Sequence, residues 1–237
     1  MCGRYVLEDI EDISERFKVP PIIGFQRPTF NAAPTQRLPV IFSGGDGSRV
    51  VEPLRWGLTP AWRRSDGKAA PALFNARAET VAEKPTFRRL LRAHRCLVPA
   101  TGFYEWATEG GRKVPHRFML DDGDLFAFAG LYDPGKGDEG HAAFTLLTTR
   151  PNDVVAPYHD RMPVILRQDL EDLWLDPDVD EPALLEACYE PYPAGEMREH
   201  AASTRVNDVR NDDPDLLGED DVDRDSPTGP AGAQRPF

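Results

Sequence analysis

The chain has 237 residues, with 40 Asp and Glu against 28 Lys and Arg, for a formal net charge of −12. A hydrophobic content of 40% excludes a wholly disordered chain, and the longest apolar runs fall far short of the roughly 20 residues that span a bilayer. Residues 8–16 carry five acids where a secretory leader would be apolar, and so acidic a protein is a poor first guess for a nucleic-acid binder.

In chain order, Ile10, Ile13 and Phe17 share one face and predict a helix over 8–18. Residues 40–42 and 50–54 predict short strands joined by the Gly-rich turn 43–47. Pro85 opens a basic amphipathic helix over 86–94. Strands follow at 95–100, 102–106, 117–120, 125–131, 143–149 and 162–166, then helices at 168–175 and 181–189. Many strands without regular βαβ alternation predict an α+β fold, with a curled, mainly antiparallel sheet and flanking helices. One domain is expected over 2–206. The remainder, 207–237, carries nine acids and three arginines with little apolar periodicity, and is expected to be a disordered acidic tail.

Charge is unevenly spread. Between Arg55 and Arg95 lie ten Lys and Arg against three acids, a local +7. Such a band is either an exposed helix face or a groove for a polyanion. Lysine is scarce, five against 23 arginines, which together with the acidic tail suggests a protein kept soluble in high salt.

Cys2, Cys96 and Cys188 are odd in number and widely spaced, which argues against a disulfide framework and for a reducing, intracellular compartment. The five histidines are scattered, so no metal site is expected. Cys96 and Cys188 lie in apolar runs and read as core residues.

Cys2 is the most informative residue. Removal of Met1 would leave an α-amine and a thiol on adjacent carbons. The amine (pKa about 7.7–8.0) is partly neutral at pH 7 and attacks aldehydes to give imines. The thiol (pKa about 8.5) can then close a five-membered thiazolidine. The same pair can instead attack an amide, with the amine as base. An isolated Cys2 is also simply a second residue, but Gly3 permits close approach and Arg4 adds a cation.

Other polar groups are read with the same alternatives. Asn31 and Asn75 each follow a phenylalanine, and either fix a polar ligand or hold a turn. Glu105, in the aromatic strand Gly102-Phe103-Tyr104-Glu105-Trp106, is a general acid or base if it faces inward and a surface acid if not. His159 and Arg161 offer proton transfer and phosphate binding, although a lone His is more often structural. Trp56 and Trp62 flank arginines and stack on bases or simply pack.

Met1-Cys2-Gly3-Arg4-Tyr5, Asn31-Ala32-Ala33-Pro34, Arg55-Trp56-Gly57-Leu58, Asn75-Ala76-Arg77-Ala78-Glu79-Thr80, Gly102-Phe103-Tyr104-Glu105-Trp106 and His159-Asp160-Arg161-Met162-Pro163 together resemble the SRAP family, the SOS response-associated peptidase proteins. The resemblance runs in order from residue 2 to about Val209. It implies a sensor of abasic sites in single-stranded DNA that links covalently to the ring-opened sugar through a Cys2 thiazolidine. Lyase and autoproteolytic peptidase activities are implied as well. No metal, small-molecule cofactor or membrane is implied, and a monomer is expected. By position, Cys2 would be the nucleophile, Glu105 the acid and base, His159 the group stabilising the sugar and assisting the imine, and Asn75 the orienting amide. Arg4, Arg77 and Arg161 would hold phosphates, Asn31 would line the pocket, and Thr148 and Trp62 would meet DNA, Trp62 as the wedge. Two rivals stand beside this reading: an N-terminal-nucleophile Cys amidohydrolase, and a non-covalent DNA-binding module.

Overall fold

Strand alternation between inward and outward residues builds two sheets that share one core. In the computed structural model, the described residues are 2–25, 27–59, 70–135, 142–180 and 182–218. The strands are β1 (Tyr5–Leu7), β2 (Thr29–Ala32), β3 (Arg37–Ser43), β4 (Arg49–Trp56), β5 (Asn75–Arg77), β6 (Arg95–Ala100), β7 (Gly102–Glu109), β8 (Arg112–Leu120), β9 (Phe126–Asp133), β10 (Ala143–Thr149), β11 (Met162–Pro163), β12 (Ile165–Leu166) and β13 (Met197–Ala201). The helices are short: α1 (Ile13–Phe17), α2 (Pro85–Ala93), α3 (Glu171–Leu175) and α4 (Pro182–Ala187). No helix among the described residues is long and apolar enough to cross a membrane.

The first sheet is antiparallel, in the order β13-β8-β7-β1-β2. The second runs β11-β10-β4-β3-β6-β9-β12, with β5 added beside β10. β10 pairs in parallel with β4 and antiparallel with β9, so this sheet curls until it closes on itself. The α+β fold with a curled, mainly antiparallel sheet is therefore the architecture adopted. Tyr5, Trp56, Phe103, Phe118 and Phe128 fill the space between the sheets. Their neighbours Val6 and Tyr104 point the opposite way, into a smaller core on the outer face.

That smaller core corrects the expected tail boundary. Residues 207–218 continue the folded unit: they and the residues just before them form a strap whose Val206 and Leu216 are buried against Val6 and Tyr104. Polar bonds pin it. Trp106 Nε1 donates to Asn207 Oδ1 at 2.7 Å, and Asp212 Oδ1 accepts from the backbone amides of Phe30 and Asn31. The strap's acids hid the two apolar anchors from a reading by composition. Residues 219–237 lie outside the described residues.

Other differences are local. The helix expected over 8–18 shrinks to α1, which buries Ile13 and Phe17. The strand expected over 162–166 divides into β11 and β12, which pair with β10 and β9 respectively. β1, β2, β5 and β13 were not anticipated, being three to five residues long. The basic helix is α2, with Pro85 in its first turn and Phe87, Leu90 and Leu91 inward.

Candidate functional site

The pairing of β1 with β7 brings the start of the chain to Glu105. Tyr5 lies opposite Phe103, and Tyr104 N–H donates to Arg4 carbonyl at 3.1 Å, so the pairing continues past the end of β1. Glu105, one residue on, comes level with the residues that follow Cys2. Both side chains are buried, Cys2 completely and Glu105 to 4% exposure. Burial pushes the Cys2 thiol far up, and the nearby Glu105 charge pushes it further. Burial likewise raises the Glu105 carboxyl above the ordinary carboxylate range, and the nearby His159 ring, whenever protonated, pulls it back. An acid kept protonated to higher pH than usual is better placed to act as a proton donor.

Asn75 holds Cys2 from the other side. It opens β5, which lies parallel to β10 with Asn75 level with Leu146. Its Nδ2 donates to the Cys2 carbonyl at 2.9 Å, and its Oδ1 is buried with no hydrogen-bond partner among the described residues. The preceding Phe74 is fixed by two features of the Arg55-Trp56-Gly57-Leu58 segment. Trp56 Nε1 donates to Phe74 carbonyl at 2.9 Å. Gly57, at φ +124, lies so close to the Phe74 ring that a Cβ there would come within 2.7 Å of it. Tyr5, packed on Trp56, keeps its hydroxyl buried without a partner among the described residues, and burial together with Cys2 raises its pKa.

His159 enters from the loop before β11. Arg161 N–H donates to His159 Nδ1 at 2.9 Å, so the neutral ring carries its proton on Nε2. Asp160 Oδ1 lies 3.0 Å from the same Nδ1, an ion pair open only to the protonated ring.

The structure thus gathers Cys2, Asn75, Glu105 and His159. The other expected residues divide. Arg4 is half-buried beside Cys2, its terminal nitrogen donating to Gly3 carbonyl at 3.1 Å and its Nε without a partner among the described residues. Arg77 is exposed at the end of β5. Arg161 differs from a free phosphate clamp: it grips Glu79 in a two-pronged pair at 2.6 and 2.9 Å and also donates to Thr148 carbonyl. Thr148 is wholly buried, with Oγ1 toward Ala76 carbonyl, because inward residues of β10 face the core. Asn31 is engaged elsewhere through its amide nitrogen, while its Oδ1 is buried without a partner among the described residues. Its Nδ2 lies 2.9 to 3.2 Å from the carbonyls of Val206, Asp208 and Asn211, where it staples the strap. Trp62 lies outside the described residues.

Glu79 was missed by sequence reasoning. Its motif was read for Asn75 and Arg77, and the signal for its role is the complementary charge of Arg161, distant in sequence. Arg161 in turn holds the Glu79 carboxyl below its ordinary range.

Comparison with known proteins agrees with this architecture. The family model described as SOS response associated peptidase (SRAP) matches residues 1–209. The chain is 40% identical over 223 residues to "Abasic site processing protein YoqW" of Bacillus subtilis strain 168, covering 92% of this chain and 99% of that one. It is 34% identical to "Abasic site processing protein HMCES" of Gallus gallus, covering 82% of this chain and 67% of that one. A crystal structure of a protein from Bacteroides thetaiotaomicron superposes with a TM-score of 0.76 at 27% identity, covering 92% of this chain and 98% of that chain. By the extent of the family match and of these relatives, the chain belongs to the SOS response associated peptidase (SRAP) family.

Proposed function

We propose that this protein processes abasic sites, and that it does so in single-stranded DNA by covalent capture through Cys2 after loss of Met1. The observation that carries the reading is the juxtaposition of Cys2 with Glu105, a buried acid of raised pKa, while Asn75 grips the Cys2 carbonyl at 2.9 Å. The relatives named as abasic site processing proteins point the same way.

An abasic sugar equilibrates between a closed ring and an open aldehyde. Protonated Glu105 donates to the ring oxygen and favours opening, an effect of about 10²–10⁴-fold for general acid catalysis. The neutral α-amine of Cys2 adds to the aldehyde carbon. A proton moves to the departing hydroxyl, one water leaves, and an imine forms. The Cys2 thiol then adds across the C=N bond, sulfur to carbon and proton to nitrogen, closing the thiazolidine. His159, electrostatically coupled to Glu105, stabilises the sugar and relays protons. A bare imine invites β-elimination and strand cleavage, so ring closure shields the lesion, while lyase activity belongs to the open imine.

Arg4 and Arg77 supply positive charge for the flanking phosphates. The test is incubation with single-stranded DNA bearing one abasic site, followed by a denaturing gel. A shifted band that vanishes in Cys2→Ala supports the reading; a band that survives the substitution, or no band, overturns it.

A further inference from the structure

We infer that the groove that residues 24, 25 and 27–30 form with the start of β3 is a second nucleic-acid contact, a subsite for single-stranded DNA flanking the reacting nucleotide. The inference rests on the single-stranded DNA reading above and deepens it.

The groove encloses about 690 Å³, within the range of ligand clefts, and its walls include Phe25, Arg27, Phe30, Arg37 and Asp212. Arg27 and Arg37 are exposed, while Phe25 and Phe30 are half-buried. Interleaved cations and aromatic rings are what a single strand needs: charge for phosphates and π-faces for bases.

These arginines are not neutralised by ion pairs. Nine other arginines are ion-paired among the described residues; Arg27, Arg37 and Arg55, like Arg77, Arg88 and Arg112 among others, have no carboxylate at ion-pair distance there, and Arg37 donates to the Pro53 carbonyl at 2.6 Å. Arg37 also stands directly opposite Arg55 across β3 and β4. Like charges in that register destabilise a sheet, and a bound polyanion relieves the repulsion. The acid in the wall offsets only one of the two groove arginines. Asp212 Oδ1 accepts from the Phe30 and Asn31 amides and from Thr29 Oγ1, and so is committed to holding β2.

The groove is also placed on a path from the site. β2 pairs with β1, Ala32 opposite Tyr5 and Thr29 opposite Leu7. Thr29 and Phe30 therefore lie about 10 Å or less along β2 from the end beside Tyr5, at roughly 3.3 Å per residue. A strand held at Cys2 reaches the groove within a few nucleotides.

The test compares wild type with the Arg27→Ala, Arg37→Ala double variant on undamaged single-stranded DNA, by fluorescence anisotropy across a salt series. Each lost phosphate contact is expected to reduce the slope of log K against log salt by about 0.7, so the double variant loses about 1.4. The loss is expected on long oligonucleotides and not on ones too short to leave the Cys2 site, with crosslinking to abasic DNA unchanged at saturating DNA. Equal affinity and slope in variant and wild type overturn the subsite, even if the wild type crosslinks. A changed slope without any crosslinking keeps the subsite and overturns covalent capture. A wild type that binds no single-stranded DNA overturns both.

Discussion

Asn75 Nδ2 donates to the carbonyl of Cys2 at 2.9 Å, a bond that ties β5 to the chain start ahead of β1. It fixes the Cys2 backbone through its carbonyl and does not engage the amine or the thiol that the proposed capture uses. Asn75→Ala is expected to slow crosslinking by about 10²-fold, the scale of a 1 Å misplacement of a reacting group, with little change in DNA affinity. Single-turnover crosslinking rates against binding titrations check the split.

Glu105 is buried and its carboxyl raised. Such a group costs the folded state stability once the pH rises past its unfolded value of about 4.3, and the cost is complete above its folded pKa. Glu105→Gln is therefore expected to melt at or above the wild-type temperature at neutral pH while crosslinking falls by about 10²–10⁴-fold. In the wild type, the rate is expected to decline as pH rises through the Glu105 pKa, and this limb is expected to disappear in Glu105→Gln. Rate–pH profiles and thermal melts decide both points.

Glu79 and Arg161 link the segment that carries Asn75 to the loop that carries His159. Glu79 is half-exposed, so the pair adds at most about 1 kcal/mol to stability. The Glu79 carboxyl is depressed, so this contribution is present above the unfolded pKa of about 4.3 and is lost as pH falls through the folded value. Glu79→Gln is expected to leave the melting temperature nearly unchanged but to slow crosslinking on the order of tenfold, by loosening His159. The pH dependence of the rate, read beside the melt, separates positioning from simple destabilisation.

Asn31 staples the strap by reaching three carbonyls from one amide. Asn31→Ala is expected to cost about 2 kcal/mol, since buried carbonyls lose their donor. The strap is expected to become sensitive to protease before the sheets do, which limited proteolysis with mass mapping reads directly.

Much of the fold was legible because long strands alternate. Phe103 and Tyr104 announce two faces of β7 by their period of two, and Pro85 with the apolar spacing behind it marks α2. Short strands were not legible: β5 is three residues and exists because β10 offers it an edge, a tertiary cause with no local signature. The site was legible as residue types. Its geometry was not, because Asn31 and Thr148 look the same in sequence whether they meet a ligand or a buried carbonyl. Composition likewise concealed the strap, where Leu216 anchors a segment that otherwise reads as acidic tail.

The covalent chemistry proposed for Cys2 is read from the intact mass of the product with abasic single-stranded DNA. The predicted species is the chain lacking Met1 plus the DNA, less one water, and it resists borohydride because a closed thiazolidine has no C=N bond to reduce. A product that retains Met1, that gains two hydrogens on borohydride treatment, or that forms equally with Cys2→Ala would contradict the claim.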